Sequence, residues 1–187
     1  MRACNFHTKA IRHVRPLLTQ STALTLACSL VNSRLDYCNA LLHGAPASTI
    51  KKFQRVQSTT ARIVLQCEDR TDSASLLQSL HWLQVCQRIV YKMALLTYKV
   101  RKTTLPAYLH QHLVPHVPVR STRSASLPLL TVPALKTEFA RRSFSYAAPH
   151  TWNSLPGDIL ISDNATTFKR KLKTHLFRQY FNITFTA

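Results

Sequence analysis

The chain has 187 residues, of which 45% are hydrophobic, so a folded core is expected and wholesale disorder is excluded. Lys and Arg number 25 against seven Asp and Glu, which gives a formal net charge of +18. Because such an excess costs self-repulsion in the free protein, it predicts a polyanionic partner, either nucleic acid or an anionic membrane surface.

The chain contains no segment typical of membrane insertion or secretion. The longest apolar run, residues 23–31, is interrupted by Thr25 and Ser29 and falls short of the roughly 20 residues that a membrane span needs. The first residues show no apolar segment followed by a small-residue cleavage site. We therefore expect a cytoplasmic or nuclear protein that is not secreted.

The first predicted helix begins after a Ser21 cap and ends just before Gly44, one of only two glycines in the chain. Its apolar residues recur in alternating steps of four and three, which predicts one continuous buried stripe. That stripe consists of Leu24, Cys28, Val31, Leu35, Cys38 and Leu42. The five cysteines show no Cys-x-x-Cys spacing, so we predict reduced thiols, with Cys28 and Cys38 buried on this stripe.

A second helix is predicted after Pro46, with Ser48 or Thr49 as its cap. Its predicted inward residues are Ile50, Phe53, Ala61 and Val64, and its opposite side carries Lys51, Arg55 and Arg62. The polar stretch at residues 67–72 is predicted to be a loop, and Asp72 or Ser73 to cap a short helix.

A longer helix follows, and it too combines an apolar face with a row of cations. The inward residues are Val85, Ile89, Met93, Leu96 and Val100. Arg88, Lys92 and Lys99 are predicted to form a row along its edge. Two helices of the first region therefore carry aligned cations.

Five prolines between residues 105 and 133, in a stretch that also holds Arg120 and Arg123, predict a linker. It would separate a helical region, residues 1–104, from a smaller C-terminal region, residues 134–187. In the latter, residues 139–152 are predicted to hold one or two short strands. A terminal basic helix is predicted to follow a cap at Ser162, Asp163 or Asn164, with Phe168, Leu172 and Leu176 inward.

Nothing in the sequence predicts catalysis, a metal or a cofactor. Polymerisation of nucleic acid uses divalent metals held by carboxylates, and the chain has no Asp-Asp pair. The acidic group Glu68, Asp69 and Asp72 is better explained by loop solvation and helix capping. His110, His112 and His116 are close in sequence, but no Cys or acidic residue near them completes a familiar zinc set.

Nucleic acid, RNA or DNA, is the favoured partner, because cations aligned along helices neutralise phosphates whatever the base sequence. The predicted contacts are Lys51, Arg55, Arg62, Arg88, Lys92, Lys99, Arg170, Lys171 and Lys173. Tyr91, Tyr98, Phe144 and Trp152 are candidates for stacking on bases, although aromatic residues at these spacings are more often core. The alternative is a basic helical interaction module that binds an acidic protein or anionic lipid.

Five blocks of sequence carry a resemblance to a known family. They are residues 11–18 (IRHVRPLL), 33–39 (SRLDYCN), 80–83 (LHWL), 144–156 (FSYAAPHTWNSLP) and 168–177 (FKRKLKTHLF). In this order and spacing they resemble the region just downstream of the catalytic palm in non-LTR (LINE) retrotransposon reverse transcriptases of the jockey and chicken-repeat group. From the first block to the last, the resemblance extends over essentially the whole chain.

The resemblance implies that residues 1–104 correspond to the polymerase thumb, which holds the primer-template duplex, and that the rest is a C-terminal extension. Fingers, palm and endonuclease are absent, so a catalytically inactive fragment is expected, as a truncated genomic copy, a partial gene model or an adopted host gene. Gln84 departs from the family, which usually has Pro after His-Trp-Leu. Without that proline the entry into the following helix is expected to be less rigid.

Overall fold

The computed structural model describes residues 1–67, 71–117 and 127–181, and they are mainly helical, which confirms the predicted fold class. Within those ranges the only isolated β pairing is an antiparallel bridge between Pro115 and Leu130. The chain divides into two compact units, Met1–Ile89 and Val90–Ala187. The division falls inside a helix, α6.

The first unit is organised around its fourth helix. Its helices are α1 (Arg2–Val14), α2 (Gln20–Ala27), α3 (Ser33–Asp36), α4 (Ala47–Leu65), α5 (Ser73–Ser79) and the start of α6 (Val85–Thr103). Helices α1, α2 and α5 all pack against α4. The core between them is apolar and includes Ile11, Val31, Val64 and Leu77, each at most 2% exposed. Burial of these side chains is the main stabilising contribution.

The prediction of one continuous helix from residue 21 to 43 is wrong. Helix α2 is capped by Thr19 instead of Ser21, and a wide π-helical turn follows it, in which the Ser33 amide donates to the Cys28 carbonyl. After α3 the backbone turns at Cys38, whose φ of 53° is left-handed. The extra residue in the wide turn shifts the buried stripe to Ala23, Ala27, Val31 and Leu35.

Cys28 lies off the shifted stripe and Cys38 lies at the left-handed turn, so both are exposed and the prediction that both are buried is also wrong. We expect iodoacetamide to modify these two thiols rapidly in the native protein, while buried Cys4 reacts only after unfolding. Cys86 is expected to react more slowly than either, because burial raises the pKa of its thiol and lowers the thiolate fraction. Peptide mass spectrometry over a labelling time course measures all four rates, and early modification of Cys4 would contradict the assignment.

Helix α4 begins earlier than predicted, and neither Ser48 nor Thr49 caps it. The Pro46 carbonyl accepts hydrogen bonds from the amides of Thr49 and Ile50 at 2.9 and 3.2 Å, so the helix starts at Ala47. Ala61 and Val64 are buried as predicted, whereas Ile50 and Phe53 are only half-buried.

The helices on either side of Leu80 follow their predictions more closely. Asp72 caps α5, since its Oδ2 accepts a hydrogen bond from the Ser75 amide at 3.0 Å. In α6 four of the five predicted inward residues are buried, and Leu96 is half-buried. The predicted loop before α5 includes residues 68–70, which lie outside the described residues.

The second unit contains the rest of α6 and the helices α7 (Ala107–His110), α8 (Phe144–Asn153), α9 (Gly157–Leu160) and α10 (Ala165–Phe181). Three aromatic rings form the centre of its core. Phe168 stacks on Tyr98, with ring centroids 4.2 Å apart, and its centroid lies 5.9 Å from that of Trp152. On α10 the cap is Asn164, and the predicted stripe of Phe168, Leu172 and Leu176 is buried.

The predicted strands in residues 139–152 are helical. A short 3-10 turn, Ala140–Arg142, leads into α8. The small residues Ala147 and Ala148 let this helix pack closely, and both are fully buried. Pro149 lies inside α8, where it lacks an amide hydrogen, and this residue made a helix hard to recognise from the sequence.

Two consecutive residues of α8 hold an extended segment of the Pro-rich stretch. The Trp152 Nε1 donates to the Pro128 carbonyl at 2.8 Å. The Asn153 side-chain amide donates to the Leu130 carbonyl at 2.7 Å and accepts from the Leu130 amide at 3.0 Å. Residues 118–126, with Arg120 and Arg123, lie outside the described residues, and the role of residues 105–133 as a linker stays a prediction.

Candidate nucleic-acid interface

The nine cations predicted to contact nucleic acid divide into an exposed set and an engaged set. The exposed residues are Lys51, Arg55, Lys92, Lys99, Arg170 and Lys173. Arg62, Arg88 and Lys171 instead make polar contacts within the fold. Exposure makes the first six able to reach a ligand, while their role as contacts stays a prediction.

Each engaged cation has an identifiable partner. Arg88 forms a two-pronged ion pair with Asp36, in which its Nε lies 2.8 Å from Oδ1. Arg62 donates to the Thr71 carbonyl at 3.3 Å. The Lys171 Nζ donates to the Asp158 carbonyl at 2.7 Å and remains partly exposed. Of the three, Arg88 has its charge neutralised by a carboxylate.

Four cations of the first unit lie around a space between α1 and α4. There the two helices enclose a concave space of about 400 Å³. We call it the α1–α4 cleft and define it by its four cationic residues, Lys9, Arg12, Lys52 and Arg55. Arg55 belongs to the predicted contacts, whereas the other three were not predicted.

The spacing of residues on the two helices explains how the cleft forms. Helix α1 contributes residues 5, 8, 9 and 12, and α4 contributes residues 52, 55, 56 and 59, so each places one face of two turns towards the other. The buried hydroxyls of Thr8 and Thr60 lie 3.2 Å apart and hold the two helices together below the cleft. Val56, 6% exposed, forms an apolar part of the floor.

No carboxylate of the described residues lines the cleft, and the sequence of this part of the chain explains why. Residues 1–67 contain a single acidic side chain, Asp36, and it is paired with Arg88. The four cations of the cleft therefore repel one another without a neighbouring counter-charge from this part of the chain. An anion bound between them would reduce that repulsion.

A second basic cleft lies between α9 and α10 in the second unit. It encloses about 370 Å³, and the described residues that line it include Arg170, Lys171, His175 and Arg178, with Asp158 as the one acidic residue among them. We call it the α9–α10 cleft. The structure thus brings Arg170 and Lys171 together, while Lys173 is not among the residues that line this space.

Two of the four aromatic residues considered for base stacking belong to the core. Tyr98 is 4% exposed and Trp152 is 1% exposed, so neither ring offers a face to a base. Arg101 lies over the Trp152 ring, 4.8 Å from its centroid, and burial lowers the pKa of this guanidinium. Burial also raises the pKa of the Tyr98 hydroxyl, with a further contribution from Asp163. Tyr91 and Phe144 are half-buried.

The described ranges contain neither a cluster of metal ligands nor a membrane-spanning helix. His110, His112 and His116 are all exposed, and α7 ends at His110, so these histidines do not share one helix face. The described residues contain no group of three or more His, Cys, Asp or Glu side chains close enough to hold a metal ion. None of the helices described is both long and apolar enough to cross a membrane.

The chain matches no protein-family model, no curated protein and no solved structure. The features of the chain that bear on its function are the cavities and charges described above, together with the blocks of sequence resemblance. Of these, the α1–α4 cleft combines the most cations with the fewest opposing charges.

Proposed function

We propose that the chain is the non-catalytic thumb and C-terminal region of a non-LTR retrotransposon reverse transcriptase, and that it binds nucleic acid without sequence preference. The observation that carries the binding proposal is the α1–α4 cleft, whose described lining has four cations and no carboxylate. Lys and Arg contact phosphate oxygens, which every nucleic acid presents at regular intervals. No base-reading element is needed for such binding.

The affinity would come mainly from the release of counterions. Each phosphate neutralised by a Lys or Arg releases part of the condensed cation atmosphere of the duplex, which makes binding strongly salt-dependent. Lys9 and Arg12 line an open surface, so they stay partly hydrated when an anion binds. The desolvation free energy that opposes binding is therefore small, which also supports the proposal.

The sequence resemblance also supports a binding role for the α1–α4 cleft. The block at residues 11–18 contributes Arg12 to the cleft and also supplies the buried Arg15. Arg15 donates through Nε and Nη2 to the Val64 carbonyl at 3.0 and 2.8 Å, at the C-terminal end of α4. One family block thus provides both a cation at the cleft and a contact that fixes α1 against α4.

A salt titration tests the proposal. Fluorescence anisotropy with a labelled RNA–DNA hybrid and a DNA duplex of unrelated sequence should give similar affinities for both. The slope of log affinity against log salt should be about −3 to −4, the value for four phosphate contacts. A flat salt dependence, or no binding to either duplex at low salt, would overturn the proposal, and preferential binding to anionic vesicles would favour the lipid alternative.

The absence of catalysis is part of the proposal and has its own test. Purified protein with a primer-template, deoxynucleotides and added Mg²⁺ is expected to give no primer extension, because the chain has no Asp-Asp pair to hold two metals. Extension that survives purification and disappears with a chelator would contradict it.

A further inference from the structure

The α9–α10 cleft has the composition of a phosphate pocket, and it is separate in sequence from the α1–α4 cleft. Its cationic residues follow one another on α10 at positions 170, 171, 175 and 178, which form one stripe along the helix. Pro156 and Ile159 close the opposite wall from the α9 side. The result is a concave space with three permanent cations and an imidazole.

Hydrogen bonding within the cleft leaves donors available. Lys171 uses one of its three ammonium hydrogens on the Asp158 carbonyl, which fixes the ammonium at the cleft wall. Arg170 is exposed and makes no hydrogen bond or ion pair within the described residues. A guanidinium offers five N–H donors in a planar fork that matches two oxygens of a phosphate.

The acidic side of the cleft is weak by comparison. Among the described residues that line it, Asp158 is the one carboxylate, and the residue is exposed, so water screens its charge. Arg170 and Lys171 outnumber it by one charge, and Arg178 and His175 also line the cleft. The side chains that line the cleft thus have a positive net charge. Its volume of about 370 Å³ is large enough for one phosphate group with its attached sugar.

We infer that the α9–α10 cleft is a second anion site that binds a phosphate group, using Arg170 and Lys171 as its main donors. Free phosphate, a terminal phosphate and an internal phosphodiester share this chemistry. The nucleic-acid sources rest on the proposed function, whereas binding of inorganic phosphate does not. The inference gives the C-terminal region a contact of its own, beyond that of the α1–α4 cleft.

Helix α10 supplies a matched control on its other flank. Lys169 and Lys173 step by four residues and lie on the opposite side of the buried stripe from the cleft, and both are exposed. The double substitution Lys169→Gln/Lys173→Gln removes the same charge as Arg170→Gln/Lys171→Gln. The comparison therefore separates a site from the general charge of the helix.

The test is an NMR titration of histidine-labelled full-length protein with inorganic phosphate at constant ionic strength. The imidazole of His175 lines the cleft, and exposed His110 and His112 of the same unit serve as internal references. We expect a saturable shift of the His175 signal, with no matching shift at His110 or His112. Arg170→Gln/Lys171→Gln should weaken it by about tenfold or more, since charged hydrogen bonds are lost, and Lys169→Gln/Lys173→Gln by no more than about twofold.

Two further arms identify the source and protect against misfolding. A shift at His175 with a 5′-phosphorylated but not a 5′-hydroxyl oligonucleotide indicates a terminal phosphate, and an equal shift with both indicates an internal one. If the double variant fails to fold, Arg170→Gln alone replaces it in the test, because this variant leaves the Lys171–Asp158 contact in place. It should still weaken phosphate binding. No saturable shift, or equal shifts at His175, His110 and His112, would overturn the inference, whatever the duplex titration shows.

Discussion

Glutamine at all four cationic positions of the α1–α4 cleft is expected to lower the affinity for a nucleic-acid duplex by about 100-fold or more at low salt. The same variant should reduce the salt slope by about three to four, because each phosphate contact contributes close to one unit. The loss should be alike for DNA duplex and RNA–DNA hybrid, since the contacts are to phosphates. Anisotropy titrations at four salt concentrations measure both quantities.

The control removes equal charge from elsewhere. Glutamine at four exposed cations that lie outside both clefts and are not predicted contacts takes away four positive charges while leaving the α1–α4 cleft intact; these residues are Lys102, Lys136, Arg142 and Lys169. We expect this variant to lose less than about tenfold in affinity, because dispersed charges act only through the screened general field. Equal losses in the two variants would mean that total charge, and not the cleft, determines binding.

Substitution of Trp152 by alanine is expected to have the largest effect on stability. The side chain is 1% exposed, packs beside Phe168 and lies beneath Arg101. Its removal leaves a cavity and also leaves the Pro128 carbonyl without its indole partner. Together these losses should destabilise the second unit by about 3–5 kcal/mol, the usual cost of truncating a buried tryptophan.

The two tryptophans allow the units to be followed separately. After Trp152→Ala the remaining fluorophore is Trp82, which is buried in the first unit. In urea titrations, the far-UV circular dichroism of the variant should show an early transition, while the Trp82 fluorescence transition should move little. Trp152→Phe keeps a ring but loses the hydrogen bond to Pro128. The urea midpoint of its circular dichroism transition should lie between those of Trp152→Ala and the wild type.

Another outcome would change the assignment of this residue. If Trp152→Ala shifted stability by less than about 1 kcal/mol but abolished duplex binding, then the indole would be a stacking residue and not part of the core. The burial of Trp152 makes the opposite result the expected one.

Local signals in the sequence were enough for some elements. The caps at Asp72 and Asn164 and the buried stripe of α10 depend on side chains within one or two turns of each other. The break after α2 was not visible in the same way, because its wide turn and the left-handed Cys38 contain no glycine or proline. In α8, packing of Ala147 and Ala148 outweighed the helix-breaking tendency of Pro149.

The α1–α4 cleft could be predicted only in part. Arg55 was recognisable on a charged helix face, but no periodicity in one helix tells which other helix it will face. Lys9 and Arg12 share with Lys52 and Arg55 a spacing of three residues, and the surrounding sequence has no acidic residue except Asp36. The matching spacing and the lack of acidic residues predict a basic cleft only if the two helices are known to lie side by side.

The shortage of carboxylates in residues 1–67 also concerns the heat stability of the free protein. Asp36 is paired with Arg88, so the mutual repulsion in the α1–α4 cleft is present whenever no ligand occupies it. A multivalent anion that enters the cleft is expected to bind the folded state more tightly than the unfolded chain, and so to raise the melting temperature by mass action. The first unit should accordingly melt at a temperature set by the anion of its buffer, higher in sulfate than in chloride of equal ionic strength.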